Sequence, residues 1–150
     1  MKLCLVTSPG GHLFQLISLK KWWSQSSDRF WVSIRSPDSK HLLKKEKVYW
    51  AYGPESRSIL NMIKNTFFAF KILRRERPDL VFSSGAGVTP PFIWVAWLMG
   101  IKTIHLEAYD FVNNLSLSGK LVIGFVDYFL VQHRSLRKSH NRAEYWGSIL

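Results

Sequence analysis

Ser8-Pro9-Gly10-Gly11-His12 puts paired glycines and a titratable ring directly after the apolar run Leu3-Cys4-Leu5-Val6. That order reads as a strand, a tight turn and the start of a helix, and such a turn suits an anion. Glycines let the backbone approach a ligand with no Cβ in the way, and the first turn of the helix aims free N–H groups and the positive end of its dipole at the same spot. His12 then stands at the rim with a proton to take or give. Taken alone, the stretch also reads as an ordinary βα turn whose histidine merely begins a helix. Ser83-Ser84-Gly85-Ala86-Gly87 is a second small, hydroxyl-bearing turn ahead of Pro90-Pro91. It suits a second cluster of phosphate oxygens, or serves only as a flexible connector. Glu107-Ala108-Tyr109-Asp110 ends a third apolar run with a carboxylate, which orients a sugar hydroxyl or a histidine if it faces the same crevice and is a plain surface group if it does not.

Several familiar chemistries are excluded by what these loops lack. There is no G-x-x-x-x-G-K-[ST], so the chain is not a P-loop NTPase. The first loop is not G-x-G-x-x-G, and the second expected strand ends in Ile34-Arg35 with no acid for a ribose, which argues against a nicotinamide cofactor. Phe82 stands where a nucleophile elbow needs its first glycine, so Ser84 is a poor hydrolase nucleophile. His41, His105, His133 and His140 have no metal-ligand spacing. Neither metal nor cofactor is expected.

Elements of one kind must hold these loops together. Strands are expected at Lys2–Thr7, Arg29–Ile34, Val48–Ala51, Asp79–Ser83, Lys102–Glu107 and Tyr128–Gln132, with a short last one near Glu144–Trp146. Helices are expected at His12–Gln25, briefly after Pro37, and at Ser56–Arg77, Thr89–Met99 and Ser118–Val126. Continuously apolar strands such as Leu80-Val81-Phe82 and Phe129-Leu130-Val131 belong in a sheet covered on both faces. The alternation predicts an α/β fold, a single Rossmann-like doubly wound parallel sheet over residues 1–150, with its ligand site in loops at the carboxyl ends of the strands.

Composition bounds the partners. The chain has 150 residues, 47% apolar and 21% charged, which is one ordinary globular domain. A net charge of +11 attracts nucleic acid, anionic lipid or a phosphorylated substrate. The single cysteine, Cys4, excludes an internal disulfide and fits a reducing compartment. The uncharged stretch Ala86–Ile101 is short for a spanning helix and holds Pro90-Pro91 near its start, so it reads as a buried or interfacial helix. The opening residues read as a first strand and not as a signal peptide.

On the long helix Ser56–Arg77, Ile59, Leu60, Met62, Ile63, Phe67, Phe70 and Leu73 share a face and are expected in the core. Phe68 and Ile72 fall beside Lys64, Lys71 and Arg75, a mixture suited to an anionic membrane surface or, equally, to cover by another chain or loop. Trp22-Trp23, Trp94 and Trp97 are candidate interfacial anchors.

Five separated segments carry a resemblance. Ser8-Pro9-Gly10-Gly11-His12-Leu13 with Gln15-Leu16, Ser84-Gly85-Ala86-Gly87 with Pro91-Phe92, Gly100-Ile101-Lys102-Thr103-Ile104 with Glu107, Ser116-Leu117-Ser118-Gly119-Lys120-Leu121, and the closing Trp146-Gly147-Ser148-Ile149-Leu150 occur in order over essentially the whole chain. Together they resemble the asparagine-linked-glycosylation-fourteen-like family of polysaccharide-biosynthesis proteins found in capsule and exopolysaccharide clusters. That family is similar to the amino-terminal half of the peptidoglycan N-acetylglucosaminyltransferase that acts on a lipid-linked acceptor. Pro9 stands where relatives often have serine, with His12 kept in register.

The resemblance implies one half of a split, inverting GT-B glycosyltransferase. This chain would bind the acceptor, a sugar on polyprenyl pyrophosphate, while a small donor-binding partner subunit brings the nucleotide-sugar. Ser8, Gly10, Gly11, Ser84, Gly85 and Gly87 would hold the diphosphate, and His12 would accept the proton of the attacking hydroxyl. Glu107 would orient the acceptor or act as the base itself. Eukaryotic members carry an amino-terminal spanning helix. None is read here, so the expected attachment is peripheral, on the cytoplasmic face of the plasma membrane. A non-catalytic scaffold that only recruits a partner enzyme is the alternative. A nucleic-acid-binding module is more remote, because the cations form no known motif with stacking aromatics.

Overall fold

The computed structural model describes residues 1–55 and 58–149. Its centre is a parallel sheet of seven strands in the order β3-β2-β1-β4-β5-β6-β7. The strands are β1 (Leu3–Val6), β2 (Arg29–Ile34), β3 (Val48–Ala51), β4 (Leu80–Ser83), β5 (Lys102–Leu106), β6 (Tyr128–Val131) and β7 (Ala143–Tyr145). The chain runs outward from β1 to β3, then returns to the other side of β1 and runs outward again to β7. The doubly wound architecture expected from the alternation is therefore present. Its reversal of direction lies between β1 and β4, where Val6 pairs with Ser83. At such a point the loops leaving the two strands diverge to opposite faces and open a crevice.

Side-chain alternation along the strands divides the core into two layers. Cys4, Val6, Phe30, Val32, Val81, Phe129 and Val131 face one way, under α4 (Ile59–Glu76), α5 (Thr89–Leu98) and α6 (Leu117–Val122). Leu3, Leu5, Trp31, Leu80, Phe82 and Leu130 face the other, under α1 (Gly11–Ser18) and α2 (Lys20–Trp23). Helix α3 (Pro37–Leu42) is started by a Ser36–Ser39 capping box. Helix α5 is apolar all round because it packs between α4 and α6 and covers the sheet.

Several elements differ from expectation, among them α6, which runs over Leu117–Val122 and stops four residues before the expected Val126. The single helix expected over His12–Gln25 is divided at Leu19, because Trp23 turns into the core edge-on to Trp31 and its Nε1 donates to the Leu16 carbonyl at 2.9 Å. A short helix α7 (Arg134–Ser139) was not expected, since Leu136 is its one buried side chain and gives no periodicity to read. The last strand begins one residue early, at Ala143. Ser56, where the long helix was expected to begin, lies outside the described residues, as does Leu150.

Candidate functional site

The loops after β1 and β4 meet at the switch point, and His12 joins them. Its ring lies against Gly85, where a Cβ would come within 2.7 Å of His12 Nδ1. Gly85 also has φ +83°, so this loop needs glycine both for its backbone and for the ring upon it. His12 Nδ1 is buried without a hydrogen-bond partner among the described residues. His12 as a whole is half-buried at the cleft. Ser84 fastens the two loops: its Oγ lies 2.9 Å from both Thr7 Oγ1 and the His12 carbonyl. Ser84 is therefore a brace between loops and not a free hydroxyl.

His12 lines a cleft of about 560 Å³ whose walls come from four places. Glu55, Ser58, Ile59, Asn61, Met62 and Asn65 contribute the β3–α4 side, Ala86, Gly87 and Pro90 the β4–α5 side, Ser116, Leu117, Ser118 and Leu121 the start of α6, and Phe111 closes one end. Ile59, Met62, Pro90, Phe111, Leu117 and Leu121 make the walls mainly apolar, with a few polar groups around His12. A second groove, of about 510 Å³, lies beside β7 between Asp127, Arg137, Arg142 and Trp146, and contains none of the expected site residues.

The remaining expected anion ligands are drawn toward the same end of the sheet, and two of them already meet carboxylates. Ser8 Oγ donates to Glu55 Oε2 at 2.5 Å, and Gly10 N–H donates to Asp38 Oδ2 at 2.7 Å. Gly11 is exposed, with open space where a Cβ would stand. Gly87 backs onto Glu55, whose carbonyl oxygen would be 2.9 Å from a Cβ. Glu55 was not among the residues singled out from sequence, although it is an acid just past the carboxyl end of an expected strand, where crevice ligands belong.

Glu107 occupies a different place from the one expected of a base. It is fully buried and does not line the cleft. Its Oε1 accepts from Ser116 Oγ at 2.7 Å and from Ala108 N–H at 3.1 Å, and Oε2 accepts from Ser116 N–H at 3.0 Å. Ser116 in turn caps α6 through Gly119 N–H. A Cβ on Gly119 would stand 2.1 Å from Glu107 Oε2, so the glycine of Leu117-Ser118-Gly119 makes room for the carboxylate. Burial pushes the Glu107 carboxyl above its ordinary range, against the opposing pull of the Ser116 and Ala108 hydrogen bonds. Glu107 acts on the cleft indirectly, by fixing the wall that carries Ser116 to Leu121.

His105 was set aside in the sequence but lies near His12. It is completely buried, with Nδ1 2.9 Å from Ser83 Oγ and Nε2 unpartnered among the described residues. Burial, and then the nearby His12, push its pKa down to about 3, so it is held neutral beneath the site. Gln15 and Gln132 form a further buried brace. Gln132 Nε2 donates to Gln15 Oε1 at 2.6 Å and to the Glu107 carbonyl at 3.0 Å, tying α1 to the loops after β5 and β6.

The face of α4 that carries the expected membrane contact is reversed. Ile72 is 3% exposed, and Phe68 packs edge-on to Tyr52 and Phe92 against the core. Ile59, Leu60, Ile63, Phe67 and Phe70, expected inside, are exposed, Phe67 at 75%. The inner face is not the most apolar one, because its polar side chains have partners. Asn65 clasps Tyr52 N–H and C=O at 2.8 and 3.0 Å, and Glu76 pairs with Lys2 at 2.7 Å and Lys47 at 2.6 Å. Lys64, Lys71 and Arg75 remain exposed, now beside the apolar stripe. Trp94 is no free anchor, since its Nε1 donates to the Leu121 carbonyl at 3.0 Å, and Trp23 is in the core. Trp97 is 53% exposed against Phe125, and Trp22 lies on Phe82 at 5.1 Å.

Comparison with known proteins agrees with this architecture. Residues 52–149 match the family model described as oligosaccharide biosynthesis protein Alg14 like. The UDP-N-acetylglucosamine transferase subunit ALG14 of Mus musculus is 28% identical over 181 aligned positions, which cover 100% of this chain and 83% of that protein. Its counterpart in Rattus norvegicus is 33% identical over 99 residues, 62% of this chain and 46% of that protein. The UDP-N-acetylglucosamine--N-acetylmuramyl-(pentapeptide) pyrophosphoryl-undecaprenol N-acetylglucosamine transferase of Geobacillus thermodenitrificans is 39% identical over 92 residues, 60% of this chain and 25% of that one. In fold, the chain matches the crystal structure of Acinetobacter baumannii MurG with a TM-score of 0.72 at 18% identity, covering 88% of this chain and 41% of that one. The chain thus spans less than half of the rat relative and of the solved structure, and has the fold of one Rossmann-like half of a GT-B glycosyltransferase. With its family model matched over more than half of its residues, the chain belongs to the Alg14-like family of oligosaccharide biosynthesis proteins.

Proposed function

We propose that this chain is the acceptor-binding, membrane-associating subunit of a two-component glycosyltransferase. Its reaction moves N-acetylglucosamine from a UDP-linked donor, held by a small partner subunit, to a sugar on polyprenyl diphosphate during assembly of a capsular or exopolysaccharide repeat unit. The observation that carries this reading is the continuity of the cleft with the outer face of α4. Ile59 lines the cleft and is 69% exposed at the head of the apolar stripe. A lipid-linked substrate needs that arrangement: a polar head enters the site while its tail stays in an apolar phase.

In this account the α4 stripe rests on the cytoplasmic face of the plasma membrane. Its cations meet anionic headgroups, and Phe67 and Phe70 enter the interface. No helix among the described residues is long and apolar enough to cross a membrane. The diphosphate lies across the glycine loops at Gly10, Gly11, Gly85 and Gly87. The acceptor hydroxyl attacks the anomeric carbon of the donor, the bond to UDP breaks with its electron pair going to the leaving diphosphate, and the hydroxyl proton passes to His12 Nε2. Direct displacement inverts the anomeric carbon. A well-placed general base contributes about a hundred- to ten-thousandfold in rate. The other half of the crevice, with the donor, comes from the partner.

Gly11 gives a clean test, because open space surrounds its missing Cβ. Gly11→Val should fold as wild type and weaken binding of a short-chain prenyl-diphosphate-linked sugar by at least about tenfold, which is about 1.4 kcal/mol. Titration calorimetry in detergent measures it. Equal affinity would remove the diphosphate from this loop.

A further inference from the structure

Glu55 holds, with its own carboxylate, donors that an incoming diphosphate needs. Its Oε2 accepts from Ser8 Oγ at 2.5 Å and from Val88 N–H at 3.2 Å, the latter at the start of α5. Carboxylate and phosphate oxygens present the same chemistry to such donors. The position is built into the chain. Gly87 leaves room for the Glu55 backbone, Asn61 Nδ2 donates to the Pro54 carbonyl at 2.7 Å, and Asn65 grips Tyr52 by both its N–H and its C=O. In a chain with only ten acidic residues, Asp38 sits likewise on Gly10 N–H at 2.7 Å. Among the described residues no lysine or arginine lines the cleft.

We propose that Glu55 is a specificity-determining residue, an internal anion that competes for the diphosphate seat and rejects free phosphates. Like charges at hydrogen-bonding range repel strongly in a part-buried cleft, so the carboxylate must leave as a diphosphate enters. A free phosphate or pyrophosphate brings nothing to offset that displacement. A lipid-linked diphosphate adds apolar contact with Ile59, Met62 and Leu117, and so displaces Glu55 where the free anion does not. The site thereby takes its diphosphate from the membrane rather than from solution. This inference rests on the acceptor-binding reading of the cleft.

The test titrates the whole chain, as wild type and Glu55→Gln, with pyrophosphate and with farnesyl diphosphate. Glutamine keeps an acceptor for Ser8 and Val88 and removes the charge, and a melting curve confirms that it folds. Wild type should bind farnesyl diphosphate at least about tenfold more tightly than pyrophosphate, and Glu55→Gln should tighten both by at least about tenfold. Asp28→Asn, which removes one charge from an exposed turn outside the cleft, should change neither affinity. Equal binding by wild type and Glu55→Gln, weaker binding by Glu55→Gln, or the same gain in Asp28→Asn would overturn the role of Glu55 while leaving the acceptor site in place. No binding of either ligand to any of the proteins would overturn both.

Discussion

Among the described residues His12 is the cleft-lining imidazole, it lies against Gly85 of the second glycine loop, and its Nδ1 is buried. Its position after paired glycines was legible in the sequence, because strand, turn and helix start are local patterns. His105 and Glu55 were not, since their importance comes from contacts across 22 and 47 residues, to Ser83 and Ser8. Glu107 was legible as a carboxylate at a strand end, while its packing with Gly119 and Ser116, which makes it the anchor of α6, is non-local and was not. Glu107→Gln should therefore raise the acceptor KM of the assembled enzyme more than it lowers kcat, as expected of a positioning residue; a fall chiefly in kcat would return it to the role of base. His105 has a consequence for stability. Its folded pKa of about 3 lies below the unfolded value of 6.5, so the unfolded chain binds the extra proton between those values. Stability from keeping His105 neutral is complete above about pH 6.5 and is lost as pH falls toward 3, by up to about 1.4 kcal/mol per pH unit. Urea unfolding of wild type and His105→Asn at pH 7 and pH 5 measures it. Wild type should lose more stability on acidification than the variant, and equal losses would contradict a buried neutral His105.

Helix α4 shows what an element-level reading of sequence reaches and where it stops. Its existence and approximate length follow from the apolar periodicity, but its orientation does not. Periodicity assigns the most apolar face to the core, whereas here the core takes Asn65, Ala69, Ile72, Leu73 and Glu76, with the polar pair satisfied by Tyr52, Lys2 and Lys47. A membrane or partner surface is apolar too, and a single helix cannot say which of two apolar sides is inward. Three variants separate the faces. Ile72→Ala should cost about 2–5 kcal/mol in unfolding free energy, as for a buried aliphatic side chain. Phe67→Ser with Phe70→Ser should leave the fold intact and weaken sedimentation with anionic vesicles, and Lys71→Glu with Arg75→Glu should weaken it by at least about 2 kcal/mol in a salt-dependent way. Vesicle binding unchanged by both pairs would place the membrane elsewhere.

At the scale of the molecule, the described residues form one Rossmann-like unit with a crevice at its switch point. The switch point between β1 and β4 supplies glycine loops, His12 and an apolar channel leading to α4, and the solved fold it matches is more than twice as long. In the proposed account this unit holds the acceptor and the partner subunit holds the donor. The most direct measurement is steady-state transfer of N-acetylglucosamine from its UDP-linked form to a short-chain polyprenyl-diphosphate-linked sugar, by the isolated chain, by the chain with its donor-binding partner, and by that complex carrying His12→Ala. The account predicts no turnover from the chain alone, turnover from the complex, and a loss of at least about a hundredfold with His12→Ala while assembly and vesicle binding persist. Turnover by the chain alone, or a His12→Ala complex as fast as wild type, would contradict it.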